Sequence, residues 1–221
     1  MRGRFITFEG LDGCGKSTQS HYLAESLRAE GKQVVTAREP GTTAIGEQIR
    51  GIILNSRTRG MAPLTELALM FAARAQLVNE LIEPALAEGK FVIVDRYTDS
   101  SEAYQGGGRQ IGTETVLAIH RAVAKLNPDM TILMDSDVSA SVARARKRNQ
   151  QTTRQAGHEA DENRFERENR EFFERVHQAY LTIAAREPQR VYMVDARREQ
   201  ETVRGEILRE VRKRFGNLVV G

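Results

Sequence analysis

The sequence predicts an α/β fold in which a parallel β-sheet is covered by helices on both faces. Short runs rich in β-branched and aromatic residues alternate with longer stretches of helical periodicity. Three of the short runs, FVIVD, TILMD and YMVD, end in aspartate, and the residues that follow each of them are less apolar. Strands separated by helices pair in parallel, and ligands bind beyond the carboxyl ends of such strands. The polar tails of these runs are therefore candidate site residues.

Five strand segments and the helices between them follow one another along the chain. The segment RFITFEG predicts the first strand, KSTQSHYLAESLRAEG a helix that ends at Gly31, and KQVVTAREPG a second strand with a turn. The remaining strands are predicted in KFVIVDRY, DMTILMDS and RVYMVDAR. Helices are predicted in LTELALMFAARAQLVNELIEPALAEG, TETVLAIHRAVAKL, SASVARARKRNQ and the amphipathic ETVRGEILREVRKRFG. Pro84 should kink or divide the first of these, because proline removes a helical hydrogen bond.

The chain length and composition fit one domain. The 221 residues are 40% hydrophobic, enough for one substantial core, and no repeat or boundary divides them. We therefore expect residues 1–221 to form a single domain. The segment RARKRNQQTTRQAGHEADENRFERENRE is highly charged and nearly free of apolar residues in its middle, which predicts a mobile charged lid over roughly residues 144–165.

Charge and cysteine content exclude several classes of protein. With 33 Lys+Arg against 30 Asp+Glu, the formal net charge is only +3, and nucleic-acid binders more often carry one strongly basic face. Cys14 is the only cysteine, so an internal disulfide is impossible and a reducing cytoplasm fits best. The apolar run near the N-terminus is too short for a signal peptide, and no long apolar span follows. We expect no nucleic-acid partner and no membrane insertion.

The strongest motif is GLDGCGKST, which matches the phosphate-binding pattern G-x-x-x-x-G-K-[ST]. Its glycines let backbone N–H groups converge on phosphate oxygens at a helix N-terminus. Lys16 should reach the β- and γ-phosphates of a bound triphosphate, and the Ser17 hydroxyl should bind Mg²⁺. Cys14 suits an inert packing role better than a catalytic thiol. The candidate nucleotide-binding residues are Gly10, Leu11, Asp12, Gly13, Cys14, Gly15, Lys16, Ser17 and Thr18.

A P-loop alone does not distinguish a motor, a switch and a transferase. The chain lacks the N-K-x-D motif of small GTPases and an obvious strand ending in two acids, as in motor ATPases. Phosphoryl transfer between two nucleotides needs cations from several elements, and Arg38, Arg50, Arg74 and Arg96 are candidates, although an isolated arginine is more often a solvated surface charge. Arg96 stands out because it follows the strand FVIVD directly. The adjacent Asp95 could orient that guanidinium, reach the metal through water, or cap a turn.

Five segments together resemble the thymidylate kinase family. FEGLDGCGKST, REPG, AARAQ, DRYTDSSEAYQGGGR and RFERE occur in the order and approximate spacing of that family, over nearly the whole chain. The resemblance implies a P-loop NTPase fold, conversion of ATP and dTMP to ADP and dTDP, and usually a homodimer. Two alternatives stay open: another acceptor such as dUMP or a deoxynucleoside, and a P-loop ATPase or nucleotide sensor that phosphorylates nothing.

The resemblance also implies roles for individual residues. Arg96 would bridge the donor and acceptor phosphates, with Asp95 as its supporting acid, and Asp12 would lie near Mg²⁺ and the acceptor. Arg197 is a candidate on the adenine side. The glycines at 106–108 are expected to let the backbone pass close to the acceptor. Glu39, Pro40 and Arg50 would shape the pocket for the monophosphate, and Arg74 would contact the edge of the thymine. Ser101, Tyr104 and Gln105 would contact the base and the sugar.

The base-stacking position departs from the family pattern. The usual phenylalanine lies four residues before the arginine that corresponds to Arg74, where this chain has Met70, followed by Phe71. Helical neighbours point about 100° apart, so Phe71 cannot simply replace the missing ring. Met70 could pack its thioether on the pyrimidine. Both are candidate base contacts, and for Phe71 the favoured alternative is the core or a dimer contact.

The lid is the expected source of a mobile catalytic arginine. The variable P-loop positions Asp12, Gly13 and Cys14 include no cation, so the chain resembles the family members in which the lid supplies one. Arg148 and Arg154 are the candidates for the inserted side chain. For several basic lid residues the alternative is a solvated helix face. The basic residues of this segment are Arg144, Arg146, Lys147, Arg148 and Arg154.

Overall fold

A five-stranded parallel sheet forms the centre of the protein, and across it the strands at Val34–Arg38, Phe91–Asp95, Arg4–Glu9, Met130–Asp135 and Val191–Asp195 follow one another in that order. This computed structural model describes residues 2–156 and 164–216, apart from the side chains of residues 150 and 152–156. All four strand pairings are parallel, and every strand lies within its predicted segment. The strands are β1 (Arg4–Glu9), β2 (Val34–Arg38), β3 (Phe91–Asp95), β4 (Met130–Asp135) and β5 (Val191–Asp195).

Helices connect the strands and extend beyond those predicted from the sequence. Three of them, at Ala44–Leu54, Thr98–Ser101 and Arg170–Arg186, were not predicted as separate elements. No helix in the described ranges is both long enough and apolar enough to span a bilayer. The helices are α1 (Lys16–Ala29), α2 (Ala44–Leu54), α3 (Pro63–Leu77), α4 (Glu83–Ala87), α5 (Thr98–Ser101), α6 (Thr113–Val123), α7 (Val138–Ala156), α8 (Arg170–Arg186) and α9 (Gln200–Phe215).

The sheet is covered on both faces, as the sequence predicts. Alternate residues of a strand point to opposite faces, so Ile6 and Phe8 of β1 pack against α1 and α9 in one apolar cluster. Phe5 of the same strand packs on the other face, with Leu77 and Leu86 from the α3–α4 region. Helix α8 covers the β4–β5 part of that second face. The amphipathic helix α9 therefore packs on the sheet.

Pro84 divides the longest helical segment, as predicted. Helix α3 ends at Leu77, a π-helical turn covers Val78–Ile82, and α4 begins at Glu83 with Pro84 in its first turn. Proline cannot donate the backbone hydrogen bond that a continuous α-helix requires, and a π-helical turn accommodates that loss.

Two of the three glycines, Gly107 and Gly108, serve packing against α8, which corrects the expectation that they let the backbone approach the acceptor. Glu102–Gly108 forms a π-helical segment. A β-carbon at Gly107 would lie 2.7 Å from the β-carbon of Ala179, and one at Gly108 would lie 2.6 Å from the ring of Phe172. Such distances are shorter than carbon–carbon contacts allow. Glycine is required here because two helical segments touch.

The sheet order brings three loops to one edge. Strand β3 lies between β1 and β2, with Phe8 and Arg38 both in register with Asp95. The loops after β1, β2 and β3 therefore begin side by side at the carboxyl ends of their strands. In parallel α/β sheets this edge is where ligands bind.

Candidate active site

The loop after β1 is a tight glycine turn that leads into α1. Gly10, Gly13 and Gly15 have φ values of +133°, +80° and +101°, a region that L-residues with a side chain rarely adopt. A β-carbon at Gly10 would meet the Met134 carbonyl oxygen at 2.6 Å, and one at Gly13 would meet that of Ser141 at 2.4 Å. At Gly10 and Gly13, both the backbone conformation and the lack of room for a β-carbon therefore require glycine.

Lys16 lies inside this turn. Its Nζ donates to the carbonyl oxygens of Gly10 and Leu11, at 3.1 and 2.9 Å, and the residue is only 5% exposed. The side chains of Leu11 and Cys14 belong to the apolar clusters below the turn. Only the backbones of these two predicted residues can therefore face a nucleotide, and the packing interpretation of Cys14 agrees with its position.

The turn borders a cleft large enough to take a nucleotide's phosphates. Every predicted nucleotide-binding residue of the motif lines it except Gly10, Leu11 and Cys14. Arg38 and Asn149 are further lining residues. The lining consists of Asp12, Gly13, Gly15, Lys16, Ser17, Thr18, Arg38, Glu39, Arg50, Asp95, Arg96, Arg148 and Asn149.

Ser17 and Asp95 form a pair that fits Mg²⁺. Ser17 Oγ donates to Asp95 Oδ2 at 2.6 Å, while Asp95 Oδ1 is buried without a hydrogen-bond partner among the described residues. No group of three or more His, Cys, Asp or Glu side chains in those residues could hold a metal. An ion here would complete its coordination with phosphate oxygens and water, as Mg²⁺ commonly does.

The structure pairs Arg96 with Asp12 and places Asp95 beside Ser17. Arg96 Nη2 donates to Asp12 Oδ1 at 2.8 Å, and Tyr104 OH donates to Asp12 Oδ2 at 3.1 Å. Asp12 therefore supports Arg96, although Asp95 was expected to, and Asp95 is the carboxylate next to Ser17. The reason is the backbone at Arg96, whose φ of +73° turns its side chain towards the glycine turn. Non-glycine residues seldom adopt this conformation, and it is concentrated at functional sites.

Four side chains bind the guanidinium of Arg96. Besides Asp12, its guanidinium donates to Ser100 Oγ at 2.9 Å and to the hydroxyls of Tyr180 and Tyr104 at 3.2 Å. Burial alone would raise the pKa of Asp12, but the charges of Arg96 and Lys16 outweigh it and hold that pKa well below its usual range. Asp12 is thus ionised whenever the protein is folded near neutral pH.

A second cleft opens beside the first. It contains every predicted acceptor residue except Phe71. Its lining consists of Asp12, Glu39, Pro40, Arg50, Leu54, Met70, Arg74, Arg96, Ser100, Ser101, Tyr104, Gln105, Arg148, Asn149, Phe165 and Glu166.

Arg74 and Glu39 form a buried ion pair in the wall of this cleft. Arg74 Nε donates to Glu39 Oε2 at 2.7 Å, and its Nη2 donates to Tyr97 O and Ser101 Oγ, both at 3.0 Å. Arg74 Nη1 and Glu39 Oε1 have no partner among the described residues, although both are buried. Burial raises the pKa of Glu39 to about 7, despite the opposing charge of Arg74. One donor and one acceptor are therefore left for a ligand.

The position of Phe71 corrects its inclusion among the base contacts. Its ring packs in the core with Leu67 and Val116, and the Arg74 guanidinium lies 4.5 Å from the ring centroid. Met70, half-buried, lines the cleft instead. The difference follows from the 100° rotation between successive helical residues. The ring of Phe71 therefore packs against the guanidinium of Arg74 from the core.

Of the two candidate lid arginines, Arg148 and Arg154, the structure describes the side chain of Arg148. It lines both clefts, whereas the side chain of Arg154 lies outside the described part of the chain, as do residues 157–163 of the predicted lid. Arg144 Nε donates to Gly13 O at 2.8 Å. Arg146 binds the backbone oxygens of Glu166 and Glu168.

Arg197 lies in the loop after β5, and its expected place on the adenine side stays a prediction. It is exposed, pairs with Asp195 at 2.7 Å, and lines neither of the two clefts. Its backbone N–H and its guanidinium both donate to that carboxylate. The positive charge of Arg197 is therefore paired within the loop that follows β5.

Sequence reasoning missed several residues of the acceptor cleft. Phe165 and Glu166 lie in the quoted segment RFERE, so the signal was present, but no role was assigned to them. Burial raises the pKa of Glu166 to about 7, as does the nearby charge of Asp12, and its Oε2 is buried without a partner in the described residues. Ser100 likewise lies in the quoted segment DRYTDSSEAYQGGGR without an assigned role. Leu54 and Asn149 carried no motif, and only the packing of α2 and α7 brings them to the cleft.

The two clefts meet. Asp12, Glu39, Arg50, Arg96, Arg148 and Asn149 line both of them. Three of these residues are arginines, so the junction is rich in positive charge where two anionic groups would come together. This arrangement can hold two phosphorylated ligands with their phosphates adjacent.

Comparison with known proteins agrees with this geometry. A sequence model described as thymidylate kinase matches residues 8–207. The thymidylate kinase of Alcanivorax borkumensis is 46% identical over 212 residues, which cover 96% of this chain and 97% of that protein. The thymidylate kinase of Thiobacillus denitrificans is 47% identical over 210 residues, covering 95% and 96%.

A solved structure agrees as well. The crystal structure of thymidylate kinase from Ehrlichia chaffeensis superimposes with a TM-score of 0.74 at 31% identity, covering 96% of this chain and 99% of the other. The fold is that of the P-loop NTPases, as predicted. With a family model spanning most of its length and relatives of nearly half-identical sequence, the chain belongs to the thymidylate kinase family.

Proposed function

We propose that this protein transfers the γ-phosphoryl group of ATP to dTMP and so produces ADP and dTDP for dTTP synthesis. The observation that carries the proposal is the junction of the two clefts at Asp12, Arg96 and Arg148. One cleft has the glycine turn and lysine of a nucleotide donor site. The other has a pocket with unpaired buried polar groups suited to a base.

The donor cleft would bind the phosphates of ATP. Lys16 already lies among the carbonyl oxygens of the turn, from which it can exchange to a phosphate oxygen. Ser17 and Asp95 would hold Mg²⁺, which when bound neutralises part of the charge on the β- and γ-phosphates. The unpartnered Oδ1 of Asp95 supports this assignment. The role proposed for Asp12 is to hold Arg96 in place.

The acceptor cleft would bind dTMP. Arg74 Nη1, which lacks a partner among the described residues, is suited to donate to a carbonyl oxygen of thymine. Met70 would pack on the pyrimidine face, and Ser101, Tyr104 and Gln105 would contact base and sugar. The monophosphate would lie at the junction, near Arg50 and Arg96.

The reaction needs no strong general base at this junction. A phosphate monoester has a second pKa of about 6, so its attacking oxygen is already an anion at neutral pH. Catalysis then consists of alignment and of charge neutralisation by fixed cations. Arg96 suits this role because four different side chains fix its guanidinium. Arg148 lines both clefts and is the proposed lid arginine, with Arg154 a second candidate.

A panel of acceptors tests the proposal. ADP release from MgATP would be measured with dTMP, dUMP, dCMP, deoxynucleosides and no acceptor. We expect dTMP to give much the highest kcat/KM. A higher value for another acceptor, or ATP turnover indifferent to every monophosphate, would refute the assignment and favour a different kinase or an ATPase.

We also propose that residues 1–221 form one kinase domain that acts in the cytoplasm as a homodimer. Ile45 and Ile52 on α2 and Leu64 on α3 are 50%, 50% and 59% exposed, although large apolar side chains gain free energy from burial. A second copy would cover them. Sedimentation should give the mass of a dimer for the wild type and of a monomer for Ile52→Asp. A monomeric wild type would refute this part of the proposal.

A further inference from the structure

Glu66 is a buried acid behind the acceptor cleft and has no role in the proposal above. It is 1% exposed and lies on α3, four residues before Met70 and eight before Arg74. Residues at this spacing share one helix face. Glu66 therefore extends the row of side chains that forms the cleft wall, one turn beyond Met70.

Two arginines fix the Glu66 carboxylate. Arg109 Nε lies 3.2 Å from each of its oxygens, and Arg164 Nη2 donates to Oε2 at 2.7 Å. Arg109 is held in turn by Glu168, at 2.6 Å. Such charge-assisted bonds are shorter and stronger than neutral ones. The carboxylate is thus a fixed hydrogen-bond acceptor and not a mobile charge.

The remaining contact of Glu66 reaches the cleft. Gln105 Nε2 donates to Glu66 Oε1 at 2.8 Å, and Gln105 lines the acceptor cleft. A carboxylate paired with two arginines only accepts hydrogen bonds, whereas an amide has one donating and one accepting end. The amide nitrogen of Gln105 must therefore face Glu66, and its oxygen is left for the cleft.

We propose that Glu66 is a positioning residue that sets acceptor specificity by holding the Gln105 amide with its oxygen towards the base. The proposal rests on the proposed function, in which Gln105 contacts that base. A pyrimidine whose N3 carries hydrogen, such as thymine, can donate to this oxygen. Cytosine presents an unprotonated N3, which is itself an acceptor, and two opposed acceptors repel. Glu66 thus acts on the base through Gln105 without touching it.

The test compares dTMP with dCMP in Glu66→Gln. In this variant the arginines occupy the oxygen of the new amide, so its nitrogen faces Gln105 and can turn the Gln105 amide round. We expect the ratio of kcat/KM for dTMP to that for dCMP to fall about tenfold, the worth of one hydrogen bond. At saturating dTMP, kcat should stay near that of the wild type. An unchanged ratio in a folded variant would overturn the proposal.

Two further variants keep the test decisive. Glu66→Asp retains the negative charge for Arg109 and Arg164 but withdraws the carboxylate from Gln105, so the ratio should fall even if Glu66→Gln does not fold. Glu168→Gln is the matched control, because it removes another carboxylate of Arg109 without touching Gln105. It should lower the melting temperature and leave the ratio unchanged. An equal fall in both Glu66→Asp and Glu168→Gln would show a general structural effect and refute the positioning role.

The variant Gln105→Ala separates this proposal from the proposed function. If it lowers the dTMP to dCMP ratio while both Glu66 variants leave it intact, Gln105 contacts the base and the Glu66 proposal is wrong. If Gln105→Ala also leaves the ratio intact in an enzyme that prefers dTMP, the base contact of Gln105 is wrong, and the Glu66 proposal falls with it.

Discussion

Replacing Arg74 with lysine tests how the acceptor cleft recognises its base. The change keeps a positive charge beside Glu39 but removes the planar group with its several donors. In the wild type, Nε and Nη2 make three bonds to protein atoms, which leaves Nη1 for the ligand. A lysine ammonium near Glu39 cannot also occupy the position of Nη1. The variant therefore loses the proposed bond to thymine.

The size of the effect follows from the type of bond lost. A hydrogen bond from a charged donor contributes about 1.5–3 kcal/mol, which corresponds to a roughly ten- to hundredfold increase in the KM for dTMP. The KM for ATP should change by less than about twofold, because Arg74 lies in the acceptor cleft alone and the two effects are separable kinetically. Arg74 is 1% exposed, so the variant will also be less stable.

Arg190→Lys is the matched control for that loss of stability. Arg190 is also largely buried in ion pairs, with Asp99 at 2.8 Å and with Glu187 at 2.7 Å, and it lines neither cleft. Initial rates would be measured for both variants against dTMP and against ATP, below the melting temperature of each. The reasoning is refuted if Arg74→Lys raises both KM values equally, or if Arg190→Lys raises the KM for dTMP as much as Arg74→Lys does.

Three other substitutions test the donor site, the stacking position and a buried acid. Lys16→Ala should lower kcat by about 10²–10³, as the loss of one charge-stabilising donor does in other enzymes, in a single-turnover assay. Met70→Phe should lower the KM for dTMP by roughly two- to tenfold, the worth of an aromatic contact. Burial first, and then the charge of Asp99, raise the pKa of Glu9 from 4.5 to about 7. The native protein therefore retains a proton that the unfolded chain loses above pH 4.5, and its free energy of unfolding should fall as the pH rises from 4.5 to 7. Glu9→Gln should remove on the order of 3 kcal/mol of this fall, measured by urea unfolding at several pH values.

Each of these tests has an outcome that contradicts it. A near-normal kcat in Lys16→Ala would exclude Lys16 from the transition state. An unchanged KM for dTMP in Met70→Phe would mean that position 70 does not face the base, and Phe71→Leu, a core change, provides the control for altered packing. Parallel stability curves for Glu9→Gln and the wild type would mean that Glu9 titrates normally in the native protein.

Local patterns in the sequence predicted the elements of the fold well. All five strands lie within segments recognised from their β-branched residues, because alternation and strand length are local properties. The glycine turn was equally readable, since its spacing reflects the left-handed conformations of Gly10, Gly13 and Gly15. Pro84 divides its helix because the proline ring leaves no backbone N–H to donate, which is a property of that residue alone.

Pairings between distant residues were not readable in the same way. The sequence places Asp95 next to Arg96, yet the guanidinium binds Asp12, 84 positions away, because the backbone at Arg96 turns its side chain across the sheet edge. Glu66 and Gln105 lie 39 positions apart and belong to no common motif. For Phe71 the favoured core or dimer contact could be distinguished from a base contact only once α3 had a defined rotation against the sheet.

The sequence alone predicted a nucleotide-phosphate site at the first β–α turn and showed a resemblance to the thymidylate kinases, because short-range spacing encodes both. Only the tertiary structure decided which acid supports Arg96, that Gly107 and Gly108 pack on α8, and which polar atoms of the acceptor cleft lack partners among the described residues. These features depend on how strands and helices pack across the chain. Packing directions are set by many weak contacts between distant residues, and no local pattern records them.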